Sequence, residues 1–411
     1  MGIRPTQTDY DLVQMKTRNS KIKVELLNFK FETINSLEGK VISGSINVDA
    51  TADIRRTCNL GLIATNIEKN MVASGGEIWL DKFIKIYQGI DNPRNNNETV
   101  WWNMGMFLIN NPNTVYNSTD HMITFEGLDL MAKLTGRRNG QLPAVATLVP
   151  AGSKIAAVVQ RTITQLGGFS KYVIQDEGLE VPYDIKMDMG ATIYDLLVVL
   201  RDLYPNWEMF FDVDGVFHWQ KIPSGENEPI IFDFDSLMQP MVISDSIDID
   251  FENVKNHIIV WGRLLDSGEQ VTAEISDTNT DSPFSIARIG QINYIVDDER
   301  IYNNELAQDR AKYELYLHAR LNDTISLEIV PIPWLNDVNI KINYTNKKIG
   351  IEGEYLIQTL SIPLDISSNM TITASKIYPE QQITPANAIN EYVYAGSTNY
   401  STLQTQFPYL H

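Results

Sequence analysis

Between residues 21 and 134 the apolar residues come in short runs rich in Ile, Val, Phe and Trp, separated by polar turn clusters. The runs cover 21–29, 41–48, 58–64, 78–90, 100–109 and 122–130, and the clearest turn clusters are 92–97 and 110–119. Within Phe83-Ile84-Lys85-Ile86-Tyr87, Ile84 and Ile86 share one face, the period of two expected of a half-buried strand. Strands this short and this regularly spaced predict a β-barrel or sandwich.

The period changes between residues 146 and 222. Ser153 is placed to cap a helix whose stripe is Ile155, Val158, Val159, Thr162, Ile163 and Leu166, with Gly167 just past its end. A second helix opens with a Thr192/Asp195 capping box, buries Ile193, Leu196, Leu197, Leu200 and Leu203, and stops at Pro205. Then comes "EMFFDVDGVFHW", the most metal-like stretch of the chain. An EF-hand loop carries Gly at position 6 and a bidentate Glu at position 12. With Gly215 in the glycine place, Phe210 falls on the first ligand position and Lys221 on the last, so the loop cannot hold calcium. Asp214-Gly215 between two apolar runs instead predicts a hairpin with a two-residue type I′ turn.

From residue 236 the chain returns to β. The segments 254–262, 270–275, 338–344, 354–363 and 369–376 read as strands, and 303–318 as a helix with Ala307, Ala311 and Leu315 at four-residue steps. "NDTISLEIV" sets Ile325, Leu327 and Ile329 on one face. The last segment is rich in Gln, Thr, Asn and Tyr and reads as an extended arm. The fold class expected is therefore mainly β with an α+β insert. Its parts are a first β-barrel domain (1–145), a helix-helix-hairpin domain (146–235), a second β-barrel domain with one helix (236–377) and an arm (378–411).

Composition narrows the function. Residues 1–20 are polar and charged, and no apolar run is long enough for a membrane span, so neither secretory leader nor membrane anchoring is expected. The single cysteine, Cys58, excludes an intramolecular disulfide framework and suits a reducing cytoplasm. A net charge of −19 opposes binding to nucleic-acid phosphates. His121, His218, His257, His318 and His411 have no zinc spacing, no phosphate-binding or nucleophile motif occurs, and no metal or cofactor is expected. Asp245, Asp248, Asp250 and Glu252 cluster in "DSIDIDFE". Their alternation with Ile247, Ile249 and Phe251 predicts a strand with a solvated acidic face rather than a glycosidase pair, which needs two acids held across a cleft. Trp101-Trp102 suggests a sugar platform, but neighbouring strand residues face opposite sides. No set of residues forms an active site, so a structural role is expected.

One resemblance sharpens this. The run from Val100 to Leu134, "VWWNMGMFLINNPNTVYNSTDHMITFEGLDLMAKL", resembles the first barrel of phage tail hub proteins through Trp102, Gly105, Phe107, Ile109, Pro112 and Asp129. "VKNHIIVWG" with the later "ARIG" and Ala-rich helix is similar to a second region of that family, and "IVPIPWLNDVNIKINYTNKKIGIEGEYLIQTLSIPL" to a third. Where the family carries Pro-Gly-Asp, this chain has Leu335-Asn336-Asp337, and Asn336 is expected to take the left-handed conformation in place of Gly. The resemblance implies a baseplate or tail-tip hub: a homotrimer whose six barrels join a six-fold tail tube, or distal tail protein, above to a three-fold spike, fibre or tail-tip protein below. Such a protein is assembled in the host cytoplasm and resides in the virion. Three copies at −19 each would carry −57, and an acidic lumen would repel transiting DNA over about 8 Å. Asp245, Asp248, Asp250 and Glu252 are the candidates for that surface, and the arm for gripping the spike. The alternatives are a tail-associated cell-wall hydrolase and a receptor- or sugar-binding tail module.

Overall fold

The computed structural model describes residues 5–378 apart from 37–40, 64–71, 74–75, 77, 117–120, 144–146, 237–240 and 366; the arm beyond Tyr378 lies outside the described residues. Two compact units are present: residues 5–253 with 321–378, and residues 254–320.

The first unit opens with α1 (Gln7–Val13), whose Thr6 cap and Asp9 exchange hydrogen bonds in a capping box. Then come β1 (Ser20–Leu27), β2 (Thr33–Ser36), β3 (Val41–Asp49), β4 (Arg56–Ile63), β5 (Phe83–Asn92), β6 (Glu98–Tyr116) and β7 (His121–Leu128). The Asn-rich segment after Asn110 was expected to be a turn, yet β6 continues to Tyr116. It passes a register shift between Asn110 and Asn113, where Asn111 takes a left-handed φ of 46°. A bulge of this kind absorbs the turn-forming residues without ending the strand.

The middle zone follows a 3₁₀ turn, Leu130–Lys133. It contains β8 (Thr147–Val149), α2 (Ile155–Arg161), β9 (Tyr172–Ile174), β10 (Ile185–Met187), α3 (Ile193–Asp202), β11 (Trp207–Phe211) and β12 (Phe217–Lys221). The Thr192/Asp195 box forms as expected, with both bonds present. Ile193, Leu196, Leu197, Leu200 and Leu203 are buried, each side chain contributing roughly 1.5–3 kcal/mol. Two details differ for the first helix. Lys154, not Ser153, precedes it and no side chain caps it. Its last turn widens into a π-helix at Thr162–Leu166, which carries Leu166 out to solvent while Thr162 and Ile163 stay buried.

The hairpin is also of another type. Gly215 has a φ of 70° but Asp214 does not enter the left-handed region, so the turn is not type I′. Asp212 N–H donates to the Val216 carbonyl at 3.0 Å, and Gly215 N–H to the Asp212 carbonyl at 3.0 Å. This is a three-residue loop, a type I turn closed by a left-handed glycine. Asp212 shapes it: its Oδ1 accepts from the backbone N–H groups of Asp214 and Val216, both at 2.9 Å.

The sheet resumes with β13 (Phe232–Asp233) and β14 (Val242–Asp250). The second unit comes next: β15 (His257–Leu264), β16 (Gln270–Ser276), α4 (Ile286–Ile289), β17 (Asn293–Asp297) and α5 (Asn304–His318). It has its own core, in which Ile258, Val260, Val271 and Ala273 meet Ala307, Ala311 and Leu315 of α5. Asn303 caps α5 by accepting from Leu306 N–H at 2.8 Å. The chain then re-enters the first unit as β18 (Asn322–Ile329), β19 (Lys341–Asn343), β20 (Glu354–Pro363) and β21 (Met370–Lys376). Because Asp250 pairs with Asn322, the second unit is an insertion between two antiparallel neighbours.

One sheet joins both β zones of the first unit in the order β14-β18-β21-β20-β3-β4-β7-β6-β5-β1-β2. The seam is β3 against β20, from Asp49↔Thr359 to Ser45↔Pro363. A single core lies beneath it, with Ile46, Ile86 and Phe107 from one zone and Ile325, Trp334 and Ile357 from the other. α1 closes this core with Leu12 and Val13, and the Tyr10 ring sits 5.1 Å from Trp334, edge on. A second core binds α2, α3 and the hairpin to Leu27, Phe83, Leu108 and Leu128. No helix among the described residues is long and apolar enough to cross a membrane.

Candidate functional site

β14 ends the sheet order and bonds only to β18 among the described strands. Its register decides which side chains share a face. Asp248 and Asp250 lie opposite Thr324 and Asn322 on the outer face, whereas Asp245 lies opposite the core residue Leu327. The structure therefore splits the acidic cluster. Asp245 accepts from the Tyr344 hydroxyl at 2.8 Å and from Asn346 Nδ2 at 2.7 Å. Burial, and then Asp245, push the Tyr344 hydroxyl well above its ordinary pKa. Asp248 is exposed, Asp250 accepts from the backbone N–H groups of Glu252 and Asn253, and Glu252 is exposed just past the strand. Ile249 (42% exposed) and Phe251 (72%) lie beside them. β14 is thus an edge strand among the described strands, and acidic side chains are of the kind that keep an edge from unselective pairing.

The other concentration of charge is buried. Arg55 and Arg56 open β4, and neither reaches solvent. Arg55 forms an ion pair with Glu208 of β11, and its guanidinium lies 3.7 Å from the Phe210 ring centre. The Glu208 carboxylate also accepts from Gln220 Nε2 at 2.9 Å and from Asn339 Nδ2 at 2.8 Å. Phe210 stacks on His218 at 4.9 Å, and His218 Nε2 lies 2.9 Å from Asp212 Oδ2. Burial alone would raise Asp212, but the His218 ring and the Val216 and Asp214 N–H groups hold it below the ordinary carboxylate range. Of the three acids of the metal-like stretch, Asp212 shapes the hairpin loop, Glu208 pairs with Arg55, and Asp214 Oδ1 accepts from Asn103 Nδ2 at 2.8 Å.

Arg56 crosses into the core on the same strand face as Cys58, Leu60 and Leu62. Its Nη1 donates to the carbonyls of Asn336 (2.6 Å) and Met104 (3.3 Å), and its Nη2 lies 3.3 Å from Asp337 Oδ1. The Arg56 backbone N–H donates to Asp129 Oδ2 at 2.9 Å, while Asp129 Oδ1 takes the Met131 N–H at 2.8 Å. Burial pushes Asp129 up to about 6, against the pull of those two bonds and of both arginines. Gly105 has a φ of 136°, and a Cβ there would sit 2.6 Å from Arg56 Cδ. Only glycine accommodates that backbone and that neighbour together.

The fold has counterparts in solved structures. The 43 kDa tail protein of prophage MuSo2 from Shewanella oneidensis matches with a TM-score of 0.60 at 11% identity, covering 87% of this chain and 98% of that one. A tail protein from Neisseria meningitidis MC58 gives 0.59 at 10% identity, over 86% of this chain and 96% of that one. Prophage tail protein gp18 from Listeria monocytogenes EGD-e gives 0.54 at 14% identity, over 87% and 94%. The fold is that of phage tail proteins. A family model described as a domain of unknown function, DUF5048, matches residues 281–380, and no curated protein matches the sequence.

Within this tail-protein fold four of the residues behind the family resemblance, Gly105, Asp129, Asn336 and Asp337, gather around Arg56. Gly105 makes room for it, Asp129 takes its backbone N–H, and the Asn336-Asp337 turn takes its side chain. The turn itself differs from expectation: its left-handed residue is Asn339 (φ 58°), not Asn336. Asn336 is kept instead by its side chain, whose Nδ2 donates to the Asn103 carbonyl at 2.7 Å. The two tryptophans separate as adjacent strand residues must. Trp102 packs on the core and donates to Asp9 Oδ1 at 3.0 Å, and Trp101 lies beneath Lys23. His257, inside an apolar run, is held between Ser276 Oγ (2.7 Å) and Glu274 Oε1 (3.0 Å). Arg55 and Arg56 were missed in the sequence, although the parity Arg56, Cys58, Leu60, Leu62 places Arg56 on the buried face.

Proposed function

We propose that the chain is a structural hub of a phage tail, or of a tail-like particle, acting at the baseplate or tail tip. Three copies form a ring that adapts a six-fold tube to a three-fold spike, fibre or tail-tip protein. Residues 1–145 and 236–377, the latter interrupted by the inserted unit 254–320, supply the two tube-like β zones, 146–235 braces them, and the protein resides in the virion without catalysing a reaction. The ring's channel lets DNA pass without binding it.

The observation that carries this reading is the seam. β3 and β20 weld two β zones into one sheet over one core, and the Arg56 junction ties both zones to each other where the middle zone attaches. A ring built from such paired zones keeps their mutual angle fixed, as closure demands. The tail-protein fold over nearly the whole length of its counterparts supports it. The acidic face of β14 is the candidate for the lumen or a subunit contact. Native mass spectrometry of the purified protein tests the assembly: a stable trimer is expected, and a monomer at all concentrations would overturn it.

A further inference from the structure

A short acidic or amide side chain followed by glycine is open to attack by the next backbone nitrogen, because glycine has no side chain to shield it. The chain has two such pairs, Asn139-Gly140 and Asp214-Gly215. The fold treats them differently. Gly215 N–H is spent on the Asp212 carbonyl at 3.0 Å, and Asp214 Oδ1 accepts from Asn103 Nδ2 at 2.8 Å. Asn139 is exposed, and Gly140 N–H makes no hydrogen bond among the described residues. The attacking nitrogen is unoccupied and its target stands in water.

The neighbours favour the same chemistry. Arg137 and Arg138 precede the pair in a chain of net charge −19. Arg138 donates Nη2 to the Ile109 carbonyl at 2.6 Å, while its buried Nη1 has no hydrogen-bond partner among the described residues. Flanking positive charge eases loss of the Gly140 amide proton and stabilises a negative oxygen on the attacked carboxamide.

The glycine is nevertheless fixed by the fold. Its φ is 95°, and a Cβ there would run into the Lys133 carbonyl oxygen. The turn is also a joint. The Asn139 carbonyl accepts from Gly136 N–H at 3.0 Å, and the Gly140 carbonyl from Ile193 N–H, the first residue of α3, at 2.6 Å.

We propose that Asn139 is a site of self-modification that loosens the start of α3. The deprotonated Gly140 nitrogen bonds to Asn139 Cγ. The bond from Cγ to the side-chain nitrogen breaks, that nitrogen takes up a proton and leaves as ammonia, and a succinimide ring remains. Water then opens the ring at either carbonyl. One opening gives aspartate on an unchanged backbone. The other gives isoaspartate, whose backbone is longer by a methylene and carries the Gly140 carbonyl away from Ile193. Both products set a carboxylate beside Arg137 and Arg138.

Ageing the purified full chain beside its Asn139→Gln variant, at neutral and mildly alkaline pH, tests this. Peptide mass spectrometry follows the exchange of the side-chain nitrogen for oxygen, and isoaspartate-specific methylation follows the second product. The shift should appear at Asn139 in the folded chain, grow with time and with pH, and leave Asp214 without isoaspartate. Amide exchange at Ile193 should speed in the aged parent and stay constant in aged Asn139→Gln. A folded chain whose Asn139 keeps its amide, while the same chain in urea loses it, would overturn the proposal, because the turn would then be protective. Conversion with unchanged exchange at Ile193 would overturn the link to α3.

Discussion

The chain sets its charges in two opposite environments. At the start of β4, Arg55 and Arg56 are buried and answered by Glu208, Asp337 and backbone carbonyls drawn from every zone of the first unit. Along β14, Asp248 stands in solvent at the edge of the same sheet. The first arrangement fixes the relation between parts, because a buried charge that loses its partner is costly. The second leaves the fold almost indifferent and shapes only what approaches from outside. One sheet thus carries a lock in its interior and an acidic border on its rim.

Removing the lock should have the largest effect. Arg56→Ala empties a buried site, leaves Asp337 without its counter-ion and strips two carbonyls of their donor, so unfolding in urea should show a loss of about 3–5 kcal/mol. A loss below about 1 kcal/mol would mean that the junction is decorative.

Acid titration sharpens the contrast within the junction, because two carboxylates respond with opposite signs. Asp129 holds its proton more tightly in the folded chain than in the unfolded one. Its contribution is therefore complete below the ordinary carboxylate value of about 4 and is lost as pH rises through about 6. Asp212 is held low, so its contribution is present above about 4 and disappears as pH falls through its folded value. Stability curves of Asp129→Asn and Asp212→Asn, each subtracted from the parent, should slope in opposite directions in those two windows. Parallel differences would break the assignment.

The smallest effect belongs to the rim. Asp248→Asn should leave the stability of the isolated chain within about 0.5 kcal/mol, read by the same urea melts. A large loss would mean that β14 is internally braced and is no free border.

The same contrast explains what could be read from the sequence. β18 was legible because one face is core and the other solvent, so Ile325, Leu327 and Ile329 alternate with polar residues. β20 emerged with both its bounds, and the Thr192 box marked α3 correctly. α1 escaped although Thr6 and Asp9 form the same box, because its surroundings are polar and only the tertiary packing of Leu12 and Val13 makes it a helix worth keeping. The hairpin was found but its turn mistyped, since Asp214-Gly215 fits two loop lengths and the bonds to Asp212 choose between them. Of the candidate site, the acidic strand was visible as a strand, but its division at Asp245 depends on Tyr344 and Asn346, about a hundred residues away. Arg56 was hidden for the same reason: its partners arrive from Met104, Asp129, Asn336 and Asp337, and local sequence carries no sign of them.

An electron-microscopy reconstruction of the purified oligomer would show whether the paired β zones close into a ring. Three copies are expected, their paired β zones enclosing a passage, with the outer face of β14, Asp248 and Asp250, turned toward it or toward a neighbouring copy. Chains that enclose no passage, or a passage walled by lysine and arginine, would contradict that expectation.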